Sequence, residues 1–452
     1  MGAVMRTVLV ILCAVGFAWG GALPAFADGA PGGGDIQVAQ TLGDRELTVV
    51  VRRVEPVPGP VHVDVVTHVG SPPGDLRLRL SRDGVVVSET TVRLTAKPGF
   101  HSGALRVDGP GPWELALDDG QRVATIPFVV PARVQSPPQK AAFGGFVAAG
   151  ALMLVTIVVA LRGRPTAAFV PAAGVVAALS VAVTAALLSA SVPPLPAPGR
   201  DRDPTVDSVT DPYANAQAST MDYSRPPATL VATTDGDLRL ALTDGSTGRP
   251  VDDLLVHDNA LAHLVVVSPS GKLWHLHPVR VGPGDYRVKL DAPEAGRYAV
   301  AVEIARRGGG RQLLRTALTL AATGTTAPAT DDTALDRRIA AAGEPSTITA
   351  RYGTADLQPW LGMLGHLIVV GPVTGDIADA PVWGHVHSMT PPTPGLPDKP
   401  DESVAAFGPD VPFTYTFPLP GRYLVWAQVE RGYAVRTTPA VIDVPASGGA
   451  SR

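Results

Sequence analysis

Two long apolar runs place the strongest constraint on how this chain can fold. Residues 141–161 and 166–192 carry no ionisable side chain, and only a four-residue connector with Arg162 and Arg164 separates them. Each run is long enough to cross a hydrocarbon core of about 30 Å as a helix. The length and purity of the runs argue against buried helices of a soluble domain. We predict a transmembrane helical hairpin that anchors the chain, with glycines and alanines that allow close helix packing or oligomers.

The N-terminus and the connector between the two runs predict the orientation. Residues 1–27 have the features of a secretory signal peptide: Arg6 near the start, an apolar middle at 8–19, and a small-x-small cleavage site at Ala25-Phe26-Ala27. An uncleaved anchor helix is the alternative. The connector arginines mark the cytoplasmic side under the positive-inside rule. We therefore expect a cell-membrane protein whose soluble parts are both extracytoplasmic.

Composition excludes several classes of site. Hydrophobic residues make up 45% of the 452-residue chain and charged residues 17%, with a net charge of −4 and no basic tract, so nucleic-acid binding has no electrostatic support. The single cysteine, Cys13, lies inside the signal sequence. An internal disulfide, a zinc–cysteine site and a cysteine-ligated copper centre in the mature protein are therefore excluded.

The segment 28–138 has the alternation of half-buried strands. Leu76, Leu78 and Leu80 should face a core, while Arg77 and Arg79 should face solvent. Several short runs of this kind, separated by Gly, Pro and Asp-Gly turns, predict an extracytoplasmic immunoglobulin-like sandwich. We assign no role to its histidines, His62 and His68.

A tandem repeat follows the hairpin and a Pro-, Asp- and Ser-rich linker at 193–227. Its copies are predicted at 228–321 and 335–444, and each contains an apolar strand with a histidine, then a His-x-His pair, then Gly-Arg-Tyr before another apolar strand. Both copies should be β-sandwiches. The predicted fold is therefore mainly all-β, with three immunoglobulin-like β-sandwich domains, a two-helix transmembrane hairpin and a signal peptide.

The landmarks of the repeat also carry a family resemblance. The motifs His-Leu-Val-Val, His-Leu-His-Pro and Pro-Glu-Ala-Gly-Arg-Tyr resemble those of actinobacterial secreted or membrane proteins with YtkA-like, and more distantly CopC-like, sandwich domains. The resemblance implies an extracytoplasmic immunoglobulin-like domain associated with copper or other heavy metals. The chain departs from the CopC-like pattern because no mature N-terminal histidine opens a repeat.

The repeated histidines are the candidate metal ligands. Residues two apart in a strand share a face, about 7 Å apart, so each His-x-His pair presents two imidazoles that an earlier strand could join with a third. Three imidazoles suit copper first and zinc second, and a thioether beside them would favour Cu(I). We expect one metal site in each repeat, with His257 as a weaker addition to the first. The candidate ligands are His263, His275 and His277 in the first repeat, and His366, His385, His387, Met363 and Met389 in the second.

Structural interpretations of the same residues stay open. A His-x-His pair on a sandwich strand can simply bond to neighbouring carbonyls, and Met363 and Met389 can be core or loop residues. Trp274, Trp360 and Trp383, near the histidines, are expected to fill cores. The two Gly-Arg-Tyr sequences are read as structural corners of the sandwiches.

Three functions follow from these alternatives. The first is a membrane-anchored, non-enzymatic protein that binds copper, or zinc, for sequestration, sensing or delivery, with another envelope protein as a further partner. The second is an envelope adhesion or interaction scaffold whose histidines are structural and bind no metal. The third, ranked last, is a zinc hydrolase, which needs three histidines, an open metal position and a nearby general base. Neither His-x-His pair has an acidic residue beside it, so folding would have to supply that base.

Overall fold

A computed structural model describes residues 35–52, 57–130, 136–189, 225–306, 309–324, 328–391, 400 and 402–447. The predicted signal peptide, nearly all of the 193–227 linker and most of the proline-rich insertion after the second histidine pair lie outside the described residues. The chain divides into two compact units. One contains residues 133–196, and the other contains residues 34–132 and 197–452.

The described residues of the first unit form two helices, α1 (Pro137–Leu161) and α2 (Phe169–Ser189). Ser136 begins α1 with a reciprocal capping box to Gln139, which satisfies two backbone donors of the first turn. The helices approach closely at Gly145, where a Cβ would lie 2.9 Å from the Cβ of Ala182. Both helices are long and apolar enough to cross a membrane. The prediction of two such helices is confirmed, and Gly145 has the close-packing role expected of small residues in such a pair.

The second unit begins with an N-terminal segment (residues 36–130) that forms two antiparallel sheets, ordered β1-β2-β3-β6 and β5-β4-β7-β8. Leu76, Leu78 and Leu80 on β4 are buried, and Arg77 and Arg79 on the same strand face outward, as predicted. The strands are β1 (Ile36–Leu42), β2 (Arg45–Val51), β3 (Gly59–Thr67), β4 (Gly74–Arg82), β5 (Val85–Leu94), β6 (Gly99–Val107), β7 (Gly111–Asp118) and β8 (Val123–Val130).

The first repeat (residues 228–320) also forms two sheets. One is ordered β14-β15-β10-β9, and the other β11-β16-β12-β13 with β17 on the open side of β16. The strands are β9 (Ala228–Asp235), β10 (Asp237–Asp244), β11 (Leu254–Leu255), β12 (Ala262–Val267), β13 (Leu273–Leu276), β14 (Val279–Gly282), β15 (Asp285–Val288), β16 (Gly296–Arg306) and β17 (Gly310–Leu320).

The second repeat (residues 334–444) forms sheets ordered β18-β19-β22 and β21-β20-β23-β24. The strands are β18 (Ala334–Arg338), β19 (Pro345–Arg351), β20 (Gly365–Gly371), β21 (Val382–Ser388), β22 (Asp410–Thr416), β23 (Gly421–Arg431) and β24 (Ala434–Val444). A 3-10 turn at Ile377–Asp379 separates β20 from β21. The prediction of a mainly β, sandwich-like fold is confirmed.

The two repeats pack against each other through their histidine-bearing sheets. Every residue of β12 and of β20 is buried, because each strand is covered on both faces. Leu264 and Val266 face the core of the first repeat, whereas Val265 and Val267 join a second core with Ile368 and other apolar residues of β20 and β23. The two repeats therefore share an apolar interface.

The Gly-Arg-Tyr sequences have the predicted structural role. The Tyr298 hydroxyl donates to the carbonyl of Glu294 at 2.7 Å, and the Tyr423 hydroxyl donates to the carbonyl of Leu419 at 2.8 Å. Both rings are fully buried. The same four-residue tyrosine corner thus begins β16 and β23, which fixes the register of the two strands that pair with β12 and β20.

Candidate metal centre

Strand pairing brings three imidazoles of the first repeat together. His263 lies on β12 and His275 on β13, where His275 is opposite Val265, and His277 follows directly after β13. Nδ1 of His263 lies 3.4 Å from Nε2 of His275. The His277 ring centroid is 5.2 Å from that of His263 and 5.1 Å from that of His275. The prediction that these three histidines lie together is confirmed, and we call them the first triad.

The second repeat repeats this arrangement. On β20 and β21, His366 is directly opposite His387, and His385 is opposite Ile368. Nε2 of His385 lies 3.0 Å from Nδ1 of His366 and 3.3 Å from Nε2 of His387. We call His366, His385 and His387 the second triad. Its members also lie together as predicted.

Backbone oxygens fix the tautomers of the β12 and β20 histidines. A carbonyl oxygen can only accept a hydrogen bond, so the ring nitrogen beside it carries the proton. Nε2–H of His263 donates to the carbonyl of His257 at 3.0 Å, and Nε2–H of His366 donates to the carbonyl of Trp360 at 3.2 Å. In each ring the unprotonated Nδ1 therefore faces the rest of the triad.

Side chains of the opposite repeat fix the tautomers of the histidines on β13 and β21. Nδ1–H of His275 donates to Oε1 of Gln428 at 2.9 Å, and Nδ1–H of His385 donates to Oε2 of Glu303 at 3.0 Å. Gln428 and Glu303 occupy matching places: Gln428 pairs with His366 and Glu303 with His263. The repeats thus exchange equivalent contacts across a pseudo-two-fold arrangement, and Nε2 of His275 and of His385 points into its triad.

Carboxylates lie behind the third histidine of each triad. Nδ1 of His277 is 2.7 Å from Oε1 of Glu46, which is on β2 of the N-terminal segment. Its Nε2 is buried and has no hydrogen-bond partner among the described residues. Nδ1 of His387 is 3.7 Å from Oδ2 of Asp258. Holding the outer nitrogen of an imidazole in this way orients a ligand toward a metal.

The six rings are neutral at pH 7. Burial lowers the pKa of His263 and His277 to about 3, with the charge of neighbouring histidines as a lesser cause. Burial, again with neighbouring imidazoles second, lowers the pKa of His275, His366 and His385 well below its ordinary value. Burial also lowers the pKa of His387. Neutral imidazole is the form that binds metal ions.

The two triads adjoin each other and form one continuous cluster, which was not predicted from the sequence. The His275 and His385 ring centroids are 5.0 Å apart, and His263 and His385 are 5.2 Å apart. His275 and His366 are 5.6 Å apart. The triads adjoin because the sheets that contain β12 and β20 pack face to face, so that their histidine-bearing faces are in contact.

The nitrogen spacing fits a metal ion. The ligand atoms of each triad lie within 4.8 Å of one another. Two nitrogens bound to one ion at about 2.0 Å are about 2.8 Å apart at a right angle and about 3.3 Å apart at the tetrahedral angle. The measured nitrogen separations of 3.0, 3.3 and 3.4 Å fall in this range. Without a bound cation, the unprotonated nitrogens of His263 and His275 would face each other at 3.4 Å, and those of His366 and His385 at 3.0 Å.

The remaining predicted residues lie around the cluster. Trp360 is buried and lies 5.3 Å from the His275 ring and 4.9 Å from the His366 ring, so it forms a wall of the centre. Met363 is buried and exchanges two backbone hydrogen bonds with Trp360. Met389 is 57% exposed, which is at odds with ligation inside a buried centre.

His257 contributes its backbone carbonyl to the centre, and its ring lies beside two carboxylates. Its carbonyl accepts from His263, and its Nε2 lies 2.8 Å from Oδ2 of Asp258 and 3.5 Å from Oε1 of Glu303. Burial acts to lower the pKa of His257, but hydrogen bonds to these two carboxylates outweigh it and raise the pKa. The His257 ring therefore lies beside the carboxylates of Asp258 and Glu303.

Trp274 and Trp383 have packing roles, as expected. The Trp274 ring packs against Tyr298, with centroids 6.0 Å apart. Trp383 donates its indole N–H to the carbonyl of Ala380 at 3.2 Å.

The side-chain oxygens that accept hydrogen bonds from the histidine rings were not predicted from the sequence. Glu303 and Gln428 did carry a signal, because each is the fifth residue after the corner tyrosine and interrupts an apolar strand at the same place in both repeats. Glu46 carried none, since nothing in its own strand connects it to a histidine more than 200 residues away. Folding thus supplies the acidic partners that the sequence around the histidine pairs lacks.

One family match concerns the second repeat. The model of a family described as a domain of unknown function (DUF8832) matches residues 326–446. The match therefore covers only part of this chain. No curated protein matches the sequence.

Among solved structures, the chicken CNTN1 FN1–FN3 domains match at 8% identity, covering 92% of this chain and 98% of that one, with a TM-score of 0.16. A tetra-tandem repeat from the extending region of a large adhesion protein matches at 11% identity, covering 91% of this chain and 83% of that one, with a TM-score of 0.15. Both TM-scores are low, and the sandwich-like architecture follows from the strand pairing.

Proposed function

We propose that the six-histidine cluster is a copper-binding centre. The observation that carries the proposal is the direction of the ring nitrogens: oxygens hold the outer nitrogens of His263, His275, His366 and His385, and the inner nitrogens converge without protons. Neutral imidazoles suit copper and zinc, and Cu(II) has the highest affinity in the divalent series. Copper is therefore the first choice and zinc the second.

The burial of the centre favours retention of a bound metal ion over catalysis. The six rings are buried or nearly so, and the carboxylates beside them, such as Glu303 and Glu46, already hold ring nitrogens. A hydrolytic metal site needs an open position and a free general base. We infer a non-enzymatic role in copper sequestration, sensing or delivery.

We place this centre in an extracytoplasmic protein anchored in the cell membrane by α1 and α2. The proposal includes three immunoglobulin-like domains, one for each pair of sheets, and a cleaved signal peptide. The resemblance of the repeat motifs to YtkA-like domains supports it, because those domains are associated with extracytoplasmic heavy metals. The N-terminal segment takes part directly, since Glu46 holds His277.

Titration of the full-length, tag-free protein in detergent with Cu(II), and anaerobically with Cu(I), against a chromophoric chelator tests the proposal. We expect two copper ions per chain, one for each triad. A His62→Ala variant should bind the same amount, because His62 is exposed and lies outside the cluster. Retention of less than one copper ion per chain, with zinc equally excluded, would overturn the proposal and leave the scaffold function, to be pursued by cross-linking on intact cells.

The outer hydrogen bond of His275 should tune copper affinity. Replacing Gln428 with leucine removes the oxygen that holds Nδ1–H of His275 and should weaken copper binding about 10- to 100-fold. Gln428 also donates to Thr437, so Thr437→Val is the matched control: it removes that hydroxyl without touching His275 and should retain normal affinity. Equal affinities for the two variants would show that Gln428 does not position the ligand.

A further inference from the structure

A second group of potential ligands lies where the N-terminal segment meets the second repeat. His68, Glu402 and Glu430 are buried, with exposures of 3%, 3% and 0%. Nδ1 of His68 is 2.6 Å from Oε1 of Glu430, and Nε2 of His68 is 3.6 Å from Oε2 of Glu402. One ligand atom from each residue lies within 4.8 Å of the others. We call these three residues the junction cluster.

The elements that carry the junction cluster are tied together by backbone contacts. His68 follows β3, Glu430 is on β23, and Glu402 lies in the connection between β21 and β22. The N–H of Val69, next to His68, donates to the carbonyl of Tyr433 at 2.8 Å. The position of His68 beside Glu430 is therefore fixed by the contact between the two segments.

The junction cluster has more negative charge than its hydrogen bonds satisfy. Oε1 of Glu402 accepts from the Thr48 hydroxyl at 2.9 Å, but Oε2 of Glu402 and Oε2 of Glu430 are buried without a hydrogen-bond partner among the described residues. Burying a carboxylate without a partner costs several kcal/mol in order of magnitude. Two such oxygens beside one imidazole call for protons or a cation.

We propose that His68, Glu402 and Glu430 bind a divalent cation of the Zn²⁺ class, at a site chemically distinct from the histidine cluster. Two carboxylates would neutralise the double positive charge, and the imidazole would supply a third, neutral ligand. Carboxylate donors suit Zn²⁺ and harder divalent ions and are poor ligands for copper in its soft Cu(I) form. The junction cluster and the histidine cluster would therefore select different metals.

The acid–base properties of the cluster agree with this assignment. Burial raises the pKa of Glu402 to about 7 and the pKa of Glu430 well above its ordinary value. Metal binding would therefore displace protons from these carboxyls. A bound ion would also join the N-terminal segment to the second repeat, next to Glu46, which holds His277 of the histidine cluster.

Zinc stoichiometry of the full-length protein tests the proposal. The metal-free protein is first loaded anaerobically with Cu(I) to occupy the imidazoles, then titrated with Zn²⁺ and analysed by mass spectrometry of the metal content after gel filtration. The wild type should bind one Zn²⁺ per chain. Glu402→Gln and Glu430→Gln keep the side-chain shape but remove an anionic ligand, so each should bind Zn²⁺ at least 10-fold more weakly. Glu89→Gln, at an exposed strand position, is the matched control.

A parallel titration without copper separates this proposal from the copper proposal. In that titration, the wild type should bind one more Zn²⁺ per chain than the Glu430→Gln variant. This difference does not depend on whether the histidine cluster binds copper. Equal zinc uptake by the wild type and both glutamine variants, provided that their metal-free melting temperatures agree, would overturn the junction site. Failure of the copper proposal would instead appear as absent copper in the first step.

Discussion

The protein with alanine at positions 275, 277, 385 and 387 is expected to bind copper at least 100-fold more weakly than the wild type. The change leaves one imidazole in each triad, His263 in the first and His366 in the second. Loss of an outer partner of a metal ligand typically costs about 10- to 100-fold in affinity, and loss of two ligands per ion should cost at least the upper end of that range. Chelator competition in detergent measures the affinities.

Folding of this variant must be checked separately, because the four side chains fill a buried space. Circular dichroism and metal-free thermal melting serve that purpose, with His62→Ala as the control that retains the cluster. In the wild type, copper should raise the melting temperature, because a ligand that binds only the folded state stabilises it. A folded variant whose affinity is unchanged would show that copper, if bound, lies elsewhere.

Acidification from pH 7 to pH 5 is expected to destabilise the metal-free protein. His263 and His277 have pKa values of about 3 when folded, against about 6.5 when unfolded. Their stabilising contribution is therefore present above pH 6.5 and is lost as the pH falls toward 3, by about 2 kcal/mol for each ring at pH 5. Glu46 and Glu402, with folded pKa values raised to about 7, shift stability in the opposite direction and roughly cancel these two rings.

The remaining buried groups decide the sign of the effect. Four more imidazoles have lowered pKa values, three of them strongly, whereas Glu430 and His257 have raised ones. The imidazoles prevail, so the melting temperature in excess chelator should fall on acidification.

The four-alanine variant is the control for this pH effect. It keeps only His263 and His366 of the six rings against the same three glutamates, so its pH dependence should be flat or reversed. An acid response equal to that of the wild type would assign the effect to groups outside the cluster.

Local patterns were sufficient to predict the elements of this fold. The Leu76-Arg77-Leu78 alternation gives a half-buried strand, because side chains alternate between the two faces of a sheet. The apolar runs give α1 and α2, because only a helix satisfies so long an apolar stretch of backbone internally. The repeated Gly-Arg-Tyr sequences give two tyrosine corners. Each of these depends on neighbours in the sequence.

The histidines show where such reasoning stops. The spacing of His275 and His277 and the repetition of the motif predicted each triad correctly, because pairing of adjacent strands follows from local order. The contact between the two triads was not predicted, because nothing in the sequence of either repeat indicates that its histidine face packs against the other repeat. His68 was left without a role, although it lies 2.6 Å from Glu430, a residue 362 positions away.

The amino-acid sequence by itself determined the strands, the two apolar helices, the duplication and the presence of three imidazoles in each copy. These follow from side-chain periodicity and hydrophobicity, which act over a few residues. Only the tertiary structure decided that the two triads meet, that Glu303 and Gln428 each contact a histidine of the other repeat, and that Glu46 reaches His277 and His68 reaches Glu430. Those contacts depend on the packing of whole sheets, whose complementary surfaces are assembled from residues far apart in the chain.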